Sequence, residues 1–169
     1  EISACLVGSE MCIRDRAISA PINIWNDQQD SVSLRDSGWV QFYVENHQEL
    51  VDFHLIAYRL AEDKNIMLPV MVCMDGYILT HGIETVDIPE QEKVDEFLPE
   101  YKAPYKLDTN NSLTLGVLVD PDYYTETRFA IEQTHKDILK LVPKITEEFS
   151  KIFGLSLIHI SEPTRQAEI

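Results

Sequence analysis

Ile66-Met67-Leu68-Pro69-Val70-Met71-Val72-Cys73-Met74 is an almost uninterrupted apolar run that follows directly on a helical pattern. A run of that length bounded by turn formers predicts a strand buried on both faces, as strands are in parallel sheets. The preceding segment, Glu49 to Ala61, carries Leu50, Phe53, Ala57 and Leu60 at helical spacing, with Val51, Leu55 and Ile56 widening the stripe. Asn46 followed by Glu49 is the pattern of a capping box at its start, and Lys64-Asn65 marks its end. Before that helix, Trp39 to Val44 alternates weakly and predicts a half-buried strand. Strand, helix, strand is a βαβ unit, so the fold class is α/β with a mostly parallel sheet and flanking helices.

Upstream of Trp39, the run Ala17 to Trp25 also predicts a strand. Between the two lies a polar loop, Asn26 to Trp39, in which Arg35 is a cation among the acids Asp27, Asp30 and Asp36. Loops between elements of a sheet are frequent binding sites. Downstream of the apolar run comes Asp75-Gly76-Tyr77-Ile78-Leu79-Thr80-His81-Gly82-Ile83-Glu84. Ligands of open α/β sheets gather beyond the carboxyl ends of strands, which makes Asp75, Thr80, His81 and Glu84 candidates. The structural alternative is an Asp75-Gly76 turn with His81 as a capping donor. His54, flanked by apolar residues, is expected to be packed or hydrogen-bonded rather than a ligand.

From Thr85 to Asn111 the chain is rich in proline and acid. Pro89 can open a short helix with Val94, Phe97 and Leu98 on its apolar side, and the acids read as a solvated face. Ser112 to Val119 fits a short strand or an extended loop. Asp120-Pro121 supplies an N-cap and a first-turn proline for a last helix. There Ile131, Ile138, Ile145 and Ile152 recur every seven residues, with Val142 and Phe149 beside them, forming a seam for this domain or another subunit. Pro143 predicts a kink or break near Leu139 to Leu141.

The 169 residues are 44% hydrophobic, enough for one domain with a core. A net charge of −15 argues against nucleic acid, whose phosphates call for excess Lys and Arg. No apolar run reaches the roughly eighteen residues of a membrane span, so the chain reads as soluble, with no membrane partner. No glycine-rich phosphate loop, Ser-His-Asp signature or zinc spacing occurs.

The two ends stand apart. Glu10 to Asp15 can be written GAG ATG TGT ATA AGA GAC, whose reverse complement, read one frame over, encodes Ser-Leu-Ile-His-Ile, as at Ser156 to Ile160. Glu1 to Ala4 stands in the same relation to Ala167 to Ile169. The expectation is that 1–16 and 155–169 are translated sequencing adapter, and that 17–154 is an incomplete domain. Cys5 and Cys12 then drop out. Cys73 remains as a small buried hydrophobe, in keeping with a reducing cytoplasm.

Ala17 to Asp27, Gln29-Asp30, Arg35-Asp36-Ser37-Gly38-Trp39, Leu68 to Gly76 and Pro121-Asp122-Tyr123-Tyr124 together resemble the α subunit of 2-oxoacid:ferredoxin oxidoreductases, the pyruvate-type enzymes among them. The resemblance implies part of a pyrimidine-binding domain. It implies an enzyme that decarboxylates a 2-oxoacid on thiamine diphosphate, passes electrons through iron–sulfur clusters to ferredoxin and transfers the acyl group to coenzyme A. In that family the arginine of an Arg-x-(Ser/Thr)-Gly loop lies near the substrate carboxylate, which points to Arg35 as substrate-binding. Asp27, Asp30, Asp75, Thr80 and His81 are the possible pocket around it.

Two departures accompany the resemblance. Gln28 stands where the family often has His, and the glutamate that contacts the aminopyrimidine would lie upstream. No catalytic residue is therefore expected in 17–154. Thiamine diphosphate would occupy a pocket shared in the full complex, magnesium and the iron–sulfur clusters would belong to other domains or subunits, and the chain alone would bind none of them. The remaining subunits, ferredoxin and coenzyme A are the implied partners. The competing expectation is a non-catalytic acidic assembly module of a larger complex.

Overall fold

A computed structural model describes residues 10–15 by their backbone, and residues 17, 20–114, 116 and 118–154 in full. Three parallel strands form one sheet in the order β1 (Glu10–Asp15), β3 (Val70–Asp75), β2 (Val40–Tyr43). Val40 pairs with Val70 and Tyr43 with Cys73, so the carboxyl ends of β2 and β3 point the same way. Helix α2 (His47–Ala61) connects β2 to β3, completing the expected βαβ unit.

Each junction of that unit has a local cause. Asn46 accepts a hydrogen bond from the Glu49 amide at 2.9 Å and starts α2. Glu49 Oε2 reciprocates on the Glu45 amide, one residue earlier than in the usual box. Pro69 has no N–H to give a ladder, and β3 begins just after it, while its carbonyl still accepts from Val40 N at 3.0 Å. Val70, Met71, Val72 and Cys73 are all buried, which explains a strand without polar alternation. His54 is part-buried and hydrogen-bonds the Leu50 carbonyl one turn back.

The core lies where α2 meets β3 and a 33-residue helix, α5 (Pro121–Phe153). Phe53, Ile56, Ala57 and Leu60 of α2 share one buried cluster with Val70 and Val72 of β3 and with Ile138, Ile145 and Phe149 of α5. Fully burying such side chains contributes about 1.5–3 kcal/mol each. Helix α4 (Gln91–Phe97) adds Phe97, whose ring meets Phe149 edge-on with centroids 5.3 Å apart. The isoleucine seam therefore docks on its own domain over the second half of α5. Its first ten residues, 121–130, stand exposed.

Several expectations are corrected. Ala17 to Trp25 is not a strand over its described residues; Ile18 and Ser19 lie outside them. Asn23 Oδ1 takes the Trp25 amide at 3.0 Å and Asn23 Nδ2 donates to the Asn26 carbonyl at 2.9 Å, so local turns replace ladder pairing. The Asn26–Trp39 loop contains α1 (Gln29–Val32) and a 3-10 turn, Arg35–Ser37. Ser112 to Val119 takes the extended-loop alternative where described; Leu115 and Val117 lie outside the described residues. Asp120 caps α5 by position, with no side-chain bond, and Pro121 opens it. Of the expected kink or break at Pro143 the break does not occur, because the burial of Ile138, Ile145 and Phe149 outweighs the cost of an interior proline, about 3 kcal/mol.

Glu10–Asp15, set apart with the termini on codon grounds, pairs with Val70–Asp75 residue for residue. Ladder pairing uses main-chain groups, so a strand edge accepts any backbone that extends alongside it. Residues 1–9, 16 and 155–169, the rest of the expected adapter segments, lie outside the described residues.

Candidate functional site

The candidates fall into two groups at opposite ends of the sheet. At the carboxyl end of β3, Asp75 is buried and its carboxylate accepts from the amides of Tyr77 (2.9 Å), Ile78 and Leu79 (3.0 Å). Asp75 thereby starts the short helix α3 (Ile78–His81), which is the turn-forming alternative named above. Above it the Tyr77 ring stacks on His81 at 5.0 Å and meets Trp25 at 5.8 Å. His81 Nδ1 lies 3.1 Å from the Tyr77 carbonyl and 3.0 Å from Thr80 Oγ1. Trp25, Tyr77 and Ile78 are exposed, which leaves an aromatic face open at this end.

Glu84 does not join that face. It turns back to His47, the first residue of α2, whose second ring nitrogen meets the Leu79 carbonyl. Gly82 fits under this contact because a Cβ there would lie 2.7 Å from the Ile78 carbonyl oxygen. Next along α2, Gln48 holds both main-chain groups of Asp87, with Asp87 N donating to Oε1 at 2.7 Å and Nε2 donating to the carbonyl at 3.2 Å. The acidic segment is thus moored to α2 at its start. Gln48 also donates to the buried Asp52, whose carboxyl group burial holds above the usual range.

Asp27 and Asp30 are spent on their own loop. Asp27 Oδ1 takes the Gln29 amide at 3.0 Å, and Asp30 Oδ1 the Ser31 amide at 2.8 Å. The loop is tied to β2 through Ser31, a buried hydroxyl that donates to the Gln28 carbonyl. Gln41 Nε2 donates to the Ser31 carbonyl at 2.8 Å, and the Tyr43 hydroxyl donates to Gln41 Oε1 at 2.9 Å and lies 3.2 Å from Ser31 Oγ. Gln41 and Tyr43 are two apart on a strand and share a face. That spacing was the available signal for a polar anchor beneath the loop.

Arg35 lies at the other end, ahead of Val40 and so on the amino side of the sheet. Its side chain is 75% exposed, and Nε stands 3.9 Å from Asp36 Oδ1. It borders an open groove of about 450 Å³ lined also by Trp39, Gln41, Glu132, His135, Lys136 and Leu139. The loop's far side leans on α5, where Arg128 Nη2 donates to the Asp36 carbonyl at 2.9 Å and His135 Nε2 donates to the Gly38 carbonyl at 3.3 Å. The structure therefore gathers Asp75, Thr80 and His81 with Trp25 and Tyr77, and keeps Arg35 apart from them.

Among the described residues, the side chains that could meet a cofactor's charged groups are few. The described residues contain no group of three His, Cys, Asp or Glu side chains placed to hold a cation. The buried carboxylate at the strand end, Asp75, is engaged by the backbone amides of Tyr77, Ile78 and Leu79 and so holds α3 in place. Cys73 is buried inside β3. No helix among the described residues is long and apolar enough to cross a membrane.

Comparison with known proteins gives a consistent result. The family model described as pyruvate flavodoxin/ferredoxin oxidoreductase, thiamine diP-binding, matches residues 7–147. Pyruvate synthase subunit PorA of Methanothermobacter thermautotrophicus is 51% identical over 144 residues, covering 85% of this chain and 38% of that protein. PorA of Pyrococcus abyssi is 48% identical over 161 residues, covering 94% and 41%. Ketoisovalerate oxidoreductase subunit VorA of Pyrococcus horikoshii is 43% identical over 141 residues, covering 83% and 35%. The chain spans about two fifths of the length of these curated relatives.

Proposed function

The chain belongs to the pyruvate flavodoxin/ferredoxin oxidoreductase thiamine-diphosphate-binding family, and on that premise we propose that it is part of the α subunit of a pyruvate-type 2-oxoacid:ferredoxin oxidoreductase. The observation that carries the reading is 51% identity to a pyruvate synthase subunit over 85% of the chain. The reaction takes a 2-oxoacid, coenzyme A and oxidised ferredoxin to acyl-CoA, carbon dioxide and reduced ferredoxin, in the cytoplasm. Thiamine diphosphate, bound with magnesium in a pocket completed by the other subunits, supplies the electron sink for decarboxylation, and iron–sulfur clusters elsewhere in the complex carry the electrons. No step on the cofactor is assigned to a residue of this chain. A stand-alone assembly module is disfavoured by the same identity.

Within that reading Arg35 holds the substrate carboxylate. A guanidinium presents paired donors that match a carboxylate, and charge-assisted hydrogen bonds contribute about 1.5–3 kcal/mol each. The contact with Asp36 is long and exposed. Surface pairs of that kind contribute roughly 0–1 kcal/mol, so a substrate competes with it easily. Of the remaining pocket candidates, Asp75, Thr80 and His81 are proposed as pocket wall at the carboxyl end of the sheet, with Asp75 acting through α3, and Asp27 and Asp30 as fasteners of the loop that carries Arg35.

In the full complex Arg35→Ala should raise the KM for the 2-oxoacid about tenfold to a hundredfold, with Arg35→Lys intermediate. Unchanged kinetics in an intact complex would remove Arg35 from the site and return the loop to a purely structural role.

A further inference from the structure

We propose that helix α5 positions the Arg35 turn, with Arg128 and His135 as positioning residues for substrate binding; the inference rests on the Arg35 reading above. The two contacts come from residues 92 and 97 positions away in sequence, and both end on main-chain carbonyls of the turn that follows Arg35. Arg128, Ile131 and His135 are three and four residues apart and so share one face of α5. Ile131, between them in sequence, approaches the same turn, its Cγ2 standing 3.7 Å from where a Cβ on Gly38 would be.

The turn is shaped to meet that face. Its amides and hydroxyls close inward, with Ser37 N and Ser37 Oγ both donating to the Leu34 carbonyl. Gly38 then adopts φ +94°, a region costly for a side chain. That reversal leaves the Asp36 and Gly38 carbonyls toward α5, where Arg128 and His135 take them. The Arg35 side chain itself makes neither contact and remains at the rim of the groove. Its anchor is thus a helix whose second half is built into the core through Ile138, Ile145 and Phe149. A shift of α5 relative to β2 would move Arg35 with it.

The test uses the assembled enzyme carrying Arg128→Ala with His135→Ala, compared with Arg128→Lys, which keeps a donor. Losing two hydrogen bonds to the turn should raise the KM for the 2-oxoacid about threefold to tenfold while kcat stays within about twofold. The KM for coenzyme A should not move, tryptic cleavage after Arg35 should accelerate, and Arg128→Lys, which keeps a donor and the His135 contact, should stay near the wild-type KM. Wild-type KM in the double variant would overturn the proposal, and so would faster cleavage without a change in KM, which marks a brace with no bearing on substrate. Should the double variant fail to assemble, Arg128→Met alone, which keeps the aliphatic stem and has no donor, carries the same comparison. Arg35→Ala separates the two levels. If it leaves KM unchanged the substrate reading itself fails, whereas an effect of Arg35→Ala without one from Arg128 and His135 overturns only their positioning role.

Discussion

His47 and Glu84 hold each other across 37 residues of sequence, with Nδ1 2.8 Å from Oε2. The other ring nitrogen, Nε2, lies 2.8 Å from the Leu79 carbonyl. Two acceptors facing one ring favour the imidazolium, which donates to both. Glu84 foremost, then the Leu79 carbonyl, raise the His47 pKa above 6.5 against the opposing effect of desolvation. The same hydrogen bond lowers that of Glu84 below 4.5.

The sign of the pH dependence follows from these two shifts. The His47 contribution is full below its unfolded value of 6.5 and is lost as pH rises through the higher folded value. The Glu84 contribution is present above 4.5 and lost as pH falls through the lower folded value. The clasp is therefore tightest between those limits and loosens on the alkaline side. Amide exchange at Gly82 and Ile83, corrected for intrinsic rates between about pH 5 and 8, should accelerate with pH in the native chain and lose that component in Glu84→Gln. An identical pH profile in the variant would show that the clasp does not hold the segment.

Asp75→Ala should destabilise the subunit by about 2–3 kcal/mol, because three amides lose a shared acceptor at a buried strand end. Asp75→Asn keeps one acceptor oxygen and should recover part of this. Denaturant midpoints of the two variants in the assembled subunit would show the order, and equal midpoints would contradict it.

Phe149→Ala should cost about 3–5 kcal/mol, the range for removing a fully buried aromatic. Its ring packs against both Phe97 and Phe153, so the loss also loosens α4. A second measurement, proteolysis between Pro89 and Pro99, should therefore rise together with the loss of stability.

Expressed alone, residues 17–154 should melt over a broad range. Ile83 is 98% exposed and Leu118 99%, and the aromatics Tyr123, Tyr124 and Phe129 project from the free end of α5. Without β1 one edge of β3 is also unpaired. A sharp cooperative transition by both circular dichroism and tryptophan fluorescence would argue against this.

The βαβ unit could be read directly because its signals are local. The apolar run at Val70 to Met74, the stripe from Leu50 to Leu60 and the Asn46 cap each act within one or two turns of chain, and the structure keeps all three. The Ala17 to Trp25 strand failed for an equally local reason, since Asn23 competes for the backbone groups a ladder needs. Pro143 failed as a breaker because helix continuity there is decided by burial in the core, which periodicity alone does not weigh.

The site was legible only as a set of residue types. Asp75 as a turn former and Arg35 as a loop cation are written in the sequence. That the parallel register sets them at opposite ends of the sheet is not. Nor do spacings reveal that Arg128 and His135 reach the carbonyls beside Arg35, or that Glu84 returns to His47, because those partners are 92, 97 and 37 residues apart. Hydrophobic period and capping chemistry fix elements through interactions within a few residues. The juxtaposition of elements depends on how α2, α5 and the sheet bury their common face, and that is settled only when the chain closes on itself.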